Sequence, residues 1–151
     1  MAETSSSPQV AFHFNAPDKL DYACRFIRKA LRHDARVTVV APLERQRQLS
    51  ARLWKFAGHE FLAHAVQGDD AALFALAPVV LVEAAKFSTH HEVLLNLGVE
   101  MPEGFDAFHK VVEVVSSFDE QDRALARERW RSYQSAGHTI ERFDLVLQGD
   151  R

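Results

Sequence analysis

Apolar positions along this chain change period several times, and each change marks the end of one element and the start of the next. "VAFHFNA" (10–16) is short and apolar and reads as a strand. Asn15, Ala16 and Pro17 then suit the opening of a helix. From Asp18 to His33, the residues Leu20, Ala23, Cys24, Ile27, Ala30 and Leu31 recur three and four apart, which is one face of an amphipathic helix. "RVTVVAP" (36–42) is β-branched and unbroken, as befits a strand covered on both faces. Leu43, Leu49, Leu53 and Phe56 return to helical spacing over 43–57. "EFLAHAV" predicts a third strand, "DDAALFAL" a short helix and "PVVLVEA" a fourth strand.

A further apolar run, "EVLLNLG" (92–98), leads into a loop marked by Pro102 and Gly104, and "KVVEVVS" (110–116) is the last clear strand. Ser117-Phe118-Asp119-Glu120 has the Ser-x-x-Glu form of a capping box. A final helix is therefore expected over about 118–136, with Gly137 as its terminator. The order β-α-β-α-β-α-β with short connections predicts an α/β fold: a Rossmann-like open, largely parallel sheet with helices on both faces. The polar, Ser-rich residues 1–8 read as a disordered extension, and 9–151 as a single domain.

Composition narrows the function classes. With 151 residues, 47% hydrophobic and 26% charged, the chain has the balance of an ordinary globular protein. Its lone cysteine, Cys24, fits a reducing compartment, and the first residues lack the basic start and apolar core of a signal peptide. No apolar run has the length of a membrane span. A cytoplasmic protein with no membrane association is the expectation. A formal net charge of −3 argues against broad affinity for phosphate backbones, so any anionic partner has to be met by a local patch.

Catalytic signatures are missing from the sequence. "FNAPDKLD" follows the first strand where a glycine-rich nucleotide loop would stand, and neither a phosphate-loop nor a Gly-x-Ser-x-Gly motif occurs. His59 and His64 are five apart, and His90-His91 diverge on any regular element, so neither pair has metal-ligand spacing. No cofactor, metal or catalytic residue is expected, and no enzymatic activity of its own. A Rossmann-like enzyme would instead need a pocket at the carboxyl ends of the strands with a perturbed acid or base in it.

The last helix carries the candidate chemistry. At about 100° per residue, Arg123, Arg127, Trp130, Arg131 and Gln134 form one stripe, turned away from a core face centred on Leu125, Ala126, Tyr133 and Ala136. Arg129 falls on the core edge and reads as a structural ion pair. Arginine forks grip carboxylates bidentately, and an indole offers an apolar wall. A short acidic peptide with a terminal hydrophobic residue fits both, as does single-stranded nucleic acid, with phosphates on the arginines and a base on the indole. The acidic chain and the short stripe favour the peptide. A second cluster, "LWKFAGHEFLAH" (53–64), puts Trp54, Phe56 and Phe61 close together: Leu53 and Phe56 read as core, and Phe61 as either core or an exposed anchor for a partner.

At these two stretches the sequence resembles the chi subunit family of bacterial DNA polymerase III. "VVEVVSSFDEQDRALARERWRSYQSAGHTI" is similar to the family's valine-rich strand followed by a helix with Ala-Arg-Glu-Arg-aromatic and then Ala-Gly, and "LWKFAGHEFLAH" to its Leu-Trp, Phe and His motif. The likeness spans about 10–140. It implies a non-catalytic accessory subunit of the clamp-loader assembly with a Rossmann-like fold that binds no nucleotide. One surface would bind the psi subunit, or a helicase competing with psi, through Phe61. Another would hold the acidic, phenylalanine-ending C-terminal tail of single-stranded-DNA-binding protein on Arg123, Arg127, Trp130 and Arg131, bordered by Ser116, so that DNA is met only indirectly. Family members carry Lys at Arg123, Tyr at Trp130 and a basic residue at Gln134; the first two differences keep charge and ring, and the third removes a charge.

Overall fold

A computed structural model describes residues 8–56 and 62–148. In chain order its elements are β1 (Gln9–Ala16), α1 (Lys19–Arg32), β2 (Val37–Val40), α2 (Leu43–Phe56), β3 (Ala65–Val66), α3 (Ala71–Leu76), β4 (Val79–Val82), β5 (Val93–Asn96), β6 (Lys110–Ser116), α4 (Glu120–Ser135), β7 (Ile140–Asp144) and α5 (Leu145–Gln148). All seven strands join one open sheet in the order β3-β4-β2-β5-β6-β1-β7, every neighbouring pair parallel.

The unbroken apolar runs are explained by burial on both faces of this sheet. On one face Val37, Val39, Leu81, Leu95, Val112 and Val114 pack with Ala23, Cys24 and Ile27 of α1 and Leu49 and Leu53 of α2. On the other, Val10, Phe12, Val80, Val82, Leu94, Val111 and Val115 pack with Ala126 and Tyr133 of α4 and with Phe74 of α3. Alternate residues of each strand serve opposite layers, which is the period of two of a pleated strand. The α/β reading with helices on both faces therefore holds, and the sheet is parallel throughout.

Three local expectations need correction. The first helix is capped by Asp18, whose carboxylate accepts from the N–H groups of Leu20 and Asp21, while Asn15 takes a left-handed φ of 68°. The last helix begins at Glu120, not at about 118: Asp119 is its N-cap, and Ser116 Oγ rather than Ser117 closes the turn before it, accepting from Phe118 and Asp119 N–H. A seventh strand, β7, follows α4, although "IERFD" has too few apolar residues to stand out. It lies at the sheet edge and pairs only with β1, so it is covered less than the central strands. The third strand is described only as Ala65–Val66. Residues 1–7 of the expected N-terminal extension lie outside the described residues.

Candidate functional site

Helix α4 is tied down at both ends. Asp122 accepts from the Ser116 N–H at 2.9 Å and pairs with Lys19 at 2.8 Å, joining the helix to the end of β6 and the start of α1. Burial acts to raise the Asp122 carboxyl, but Lys19 and the Ser116 amide outweigh it and hold the group below the usual carboxylate range. At the other end Gly137 adopts φ +92°, which lets its N–H reach Gln134 O and the His138 N–H reach Tyr133 O. That is the paired hydrogen bonding of a left-handed helix stop, where glycine avoids the Cβ penalty.

The rotation of α4 is set by a buried polar cluster. Arg129 Nε donates to Glu113 Oε1 at 2.8 Å, and Arg129 Nη1 to Val99 O at 3.1 Å. Glu113 Oε2 accepts from Tyr133 Oη at 2.7 Å and from Asn96 Nδ2 at 2.9 Å. Burial pushes the Glu113 carboxyl up from its usual range, against the pull of Arg129, Asn96 and Tyr133. The Tyr133 hydroxyl is pushed up as well, by burial first and then by the Glu113 charge. Arg129 is thus the structural ion pair that its place on the helix predicts, and it belongs to the fold rather than to the surface.

With Ala126, Arg129 and Tyr133 turned inward, the predicted stripe comes to rest over β1 and β7. Arg123, Arg127, Trp130, Arg131 and Gln134 line one groove of about 450 Å³. Its floor and far wall are Phe12 and Phe14 of β1, Val115 of β6 and Arg142 of β7. Trp130 is half-buried rather than turned away from the core: its ring meets Phe12 edge-on at 5.0 Å, and Phe12 in turn meets Tyr133 at 5.9 Å. The indole is therefore a fixed wall, held by the core it borders. Arg127, Arg131 and Gln134 are exposed.

Four guanidinium groups surround this aromatic floor, and no carboxylate lines it. Arg123 is restrained by long contacts of 3.4 Å to Asn15 Oδ1, Ser116 O and Ser117 O and by Glu120 at 3.5 Å. Among the described residues no carboxylate pairs with Arg127, Arg131 or Arg142. Such a site suits a ligand that brings several carboxylates and one large apolar group. Ser116 does not line the groove; its side chain is buried and its hydroxyl is engaged in the turn before α4. Phe12, Phe14 and Arg142 were missed by the sequence reading. Alternation along β1 gives Phe12 and Phe14 one face, and the register pairs Phe12 with Arg142, but that register is not visible without β7.

Phe61 lies outside the described residues. Beside that segment Trp54 is 61% exposed, its ring 5.2 Å from that of His64. Phe56 is half-buried against the α1–α2 layer under the Arg28 guanidinium, 4.9 Å above its ring, in keeping with its core reading. At the carboxyl ends of β2, β4 and β5, where a Rossmann-like enzyme would act, a hollow of about 650 Å³ is lined by Glu83, Glu100 and Glu103 with no histidine, cysteine or lysine among them. Asn96 reaches this hollow, but its amide is engaged by Glu100 O, Glu113 and the Gly98 N–H. No group of three or more metal-ligating side chains comes together among the described residues.

Residues 8–141 match the family model described as DNA polymerase III chi subunit, HolC. The DNA polymerase III subunit chi of Pseudomonas aeruginosa is 33% identical over 124 residues, which cover 82% of this chain and 84% of that protein.

Proposed function

The chain belongs to the DNA polymerase III chi subunit family, and from that premise we propose that it is a non-catalytic tether, joining the clamp loader through the psi subunit to the acidic tail of single-stranded-DNA-binding protein. Family membership supports an accessory role in DNA replication. The observation that carries the finer reading is the groove on α4, where Arg123, Arg127, Arg131 and Arg142 surround a floor built on Trp130 and Phe12 without any lining carboxylate.

In this reading the tail's carboxylates meet the guanidinium forks, and its terminal phenylalanine enters the apolar slot between Trp130 and Phe14. Gln134 contributes an amide where a further charge would tighten the grip. Micromolar affinity, about −8 kcal/mol, is reasonable for so short a peptide. The second attachment, to psi through the surface of Phe61 and the exposed Trp54, turns that modest grip into a durable one by effective concentration. A helicase with a similar anchor would compete with psi there. The work is done in the cytoplasm at the replication fork, with DNA reached through the coated strand.

The bridging role is tested by gel filtration of the protein with psi and single-stranded-DNA-binding protein from the same source. Wild type forms the three-part complex. Arg127→Ala keeps psi and loses the other partner, and Phe61→Ala does the reverse. Loss of both partners in either variant contradicts the two-surface reading.

A further inference from the structure

The strand alternation that builds the first groove builds a second one on the opposite face of the sheet. On β1, Phe12 and Phe14 face the α4 groove while His13 between them faces the other way; on β7, Arg142 faces α4 and Phe143 does not. His13 and Phe143, with ring centres 4.9 Å apart, form the floor of a cleft of about 380 Å³ walled by α1 and by Leu145 of α5. Arg25 and Lys29 of α1, His33 at its C-cap and Lys110 of β6 line it, and no carboxylate does. Arg25 pairs with Asp21 at 3.1 Å, while Lys29 is exposed. In a chain of net charge −3 this is a second local concentration of positive charge.

We propose that this cleft is a direct binding site for single-stranded nucleic acid, with phosphates on Lys29, Lys110 and Arg25 and a base held against Phe26 and Phe143. This extends the proposed function, in which DNA is met only through a partner, and it rests on that reading only in that the docked partner brings a single strand within reach.

Two features favour a strand over a second acidic peptide. Lysine ammoniums are point donors that accept phosphate from many directions, and two of the three fixed cations here are lysines, whereas the α4 groove uses arginine forks throughout. Half-buried phenylalanine rings give a stacking surface that tolerates any base. His13 on the floor is held by a hydrogen bond between its Nδ1 and the Tyr22 hydroxyl. Burial, then the charges of Lys110 and Lys29, lower the His13 imidazole to about 4, so it is neutral at physiological pH and both ammoniums act on the same spot.

The test is fluorescence anisotropy of a labelled oligothymidylate titrated with the full chain at low salt, in the absence of other proteins. Wild type binds weakly, with log K falling against log salt at a slope of about −2, as expected for three phosphates on a single strand. Lys29→Glu combined with Lys110→Glu lowers affinity at least tenfold and leaves binding of the acidic tail peptide unchanged. Phe143→Leu keeps the apolar volume and weakens the oligonucleotide several-fold. Arg127→Ala does the opposite of the lysine variant, losing the peptide and keeping the strand. Three results overturn the proposal: no anisotropy change with wild type, equal loss in Arg127→Ala, which would move the strand to the α4 groove, or displacement of the strand from the cleft by an acidic peptide without a terminal phenylalanine. Failure of the oligonucleotide arm with an intact peptide arm leaves the tether reading standing.

Discussion

Arg127 and Arg129 stand two positions apart on one helix and do opposite work. Arg129 is 3% exposed and meets Glu113, which is fully buried, so the pair resides where charge is expensive unless matched. Glu113→Gln leaves the guanidinium buried without its counter-charge and should lower stability by about 3 kcal/mol in chemical denaturation. Replacing both, as Glu113→Leu with Arg129→Met, removes the mismatch and should recover most of that loss. His13 sets a pH dependence. Its folded value of about 4 lies below the ordinary 6.5, so between those limits the unfolded chain binds more protons than the folded one. Stability from this residue is complete above pH 6.5 and declines as pH falls toward 4. The advantage of wild type over His13→Gln should shrink over that window, by an amount on the order of 2 kcal/mol, in denaturation curves at several pH values.

At the scale of elements, α4 depends on its ends. Asp119→Ala removes the side-chain cap on the Asp122 N–H and should cost about 1 kcal/mol. Gly137→Ala should cost a similar ~1 kcal/mol from backbone strain alone, since a Cβ there meets nothing within 4 Å but φ is +92°. Both losses should appear as lower thermal midpoints with peptide affinity nearly unchanged. The elements that the sequence made plain are those whose burial is uniform. Val37–Val40, Val79–Val82 and Lys110–Ser116 are central strands covered on both faces, and their apolar runs announce it. The edge strand Ile140–Asp144 is only partly covered, so its pattern of two apolar residues in five is indistinguishable from a loop. For the same reason the arginine stripe could be read from helical spacing, while half of its groove could not. Phe12, Phe14 and Arg142 join Trp130 only through strand register, which is a property of the folded sheet. Helical spacing also set Trp130 with the outward stripe, but an indole is large enough to reach the core from that edge, and Phe12 holds it there.

The whole molecule combines a net negative charge with cationic grooves on either side of one sheet edge. That arrangement discourages indiscriminate binding to nucleic acid and leaves strong local fields for chosen anions. It also places the proposed peptide site on the α4 face and the proposed strand site on the α1 face on opposite sides of β1 and β7. The tether reading requires that the α4 groove read both the charge and the terminal ring of an acidic tail. Calorimetric titration with a peptide ending in Asp-Ile-Pro-Phe, and with the same peptide lacking its final phenylalanine, tests it most directly. Saturable binding of the intact peptide by wild type, lost at least tenfold on removing the phenylalanine and again in Arg127→Ala, is the predicted result. Equal binding of both peptides, or full binding by Arg127→Ala, would contradict it.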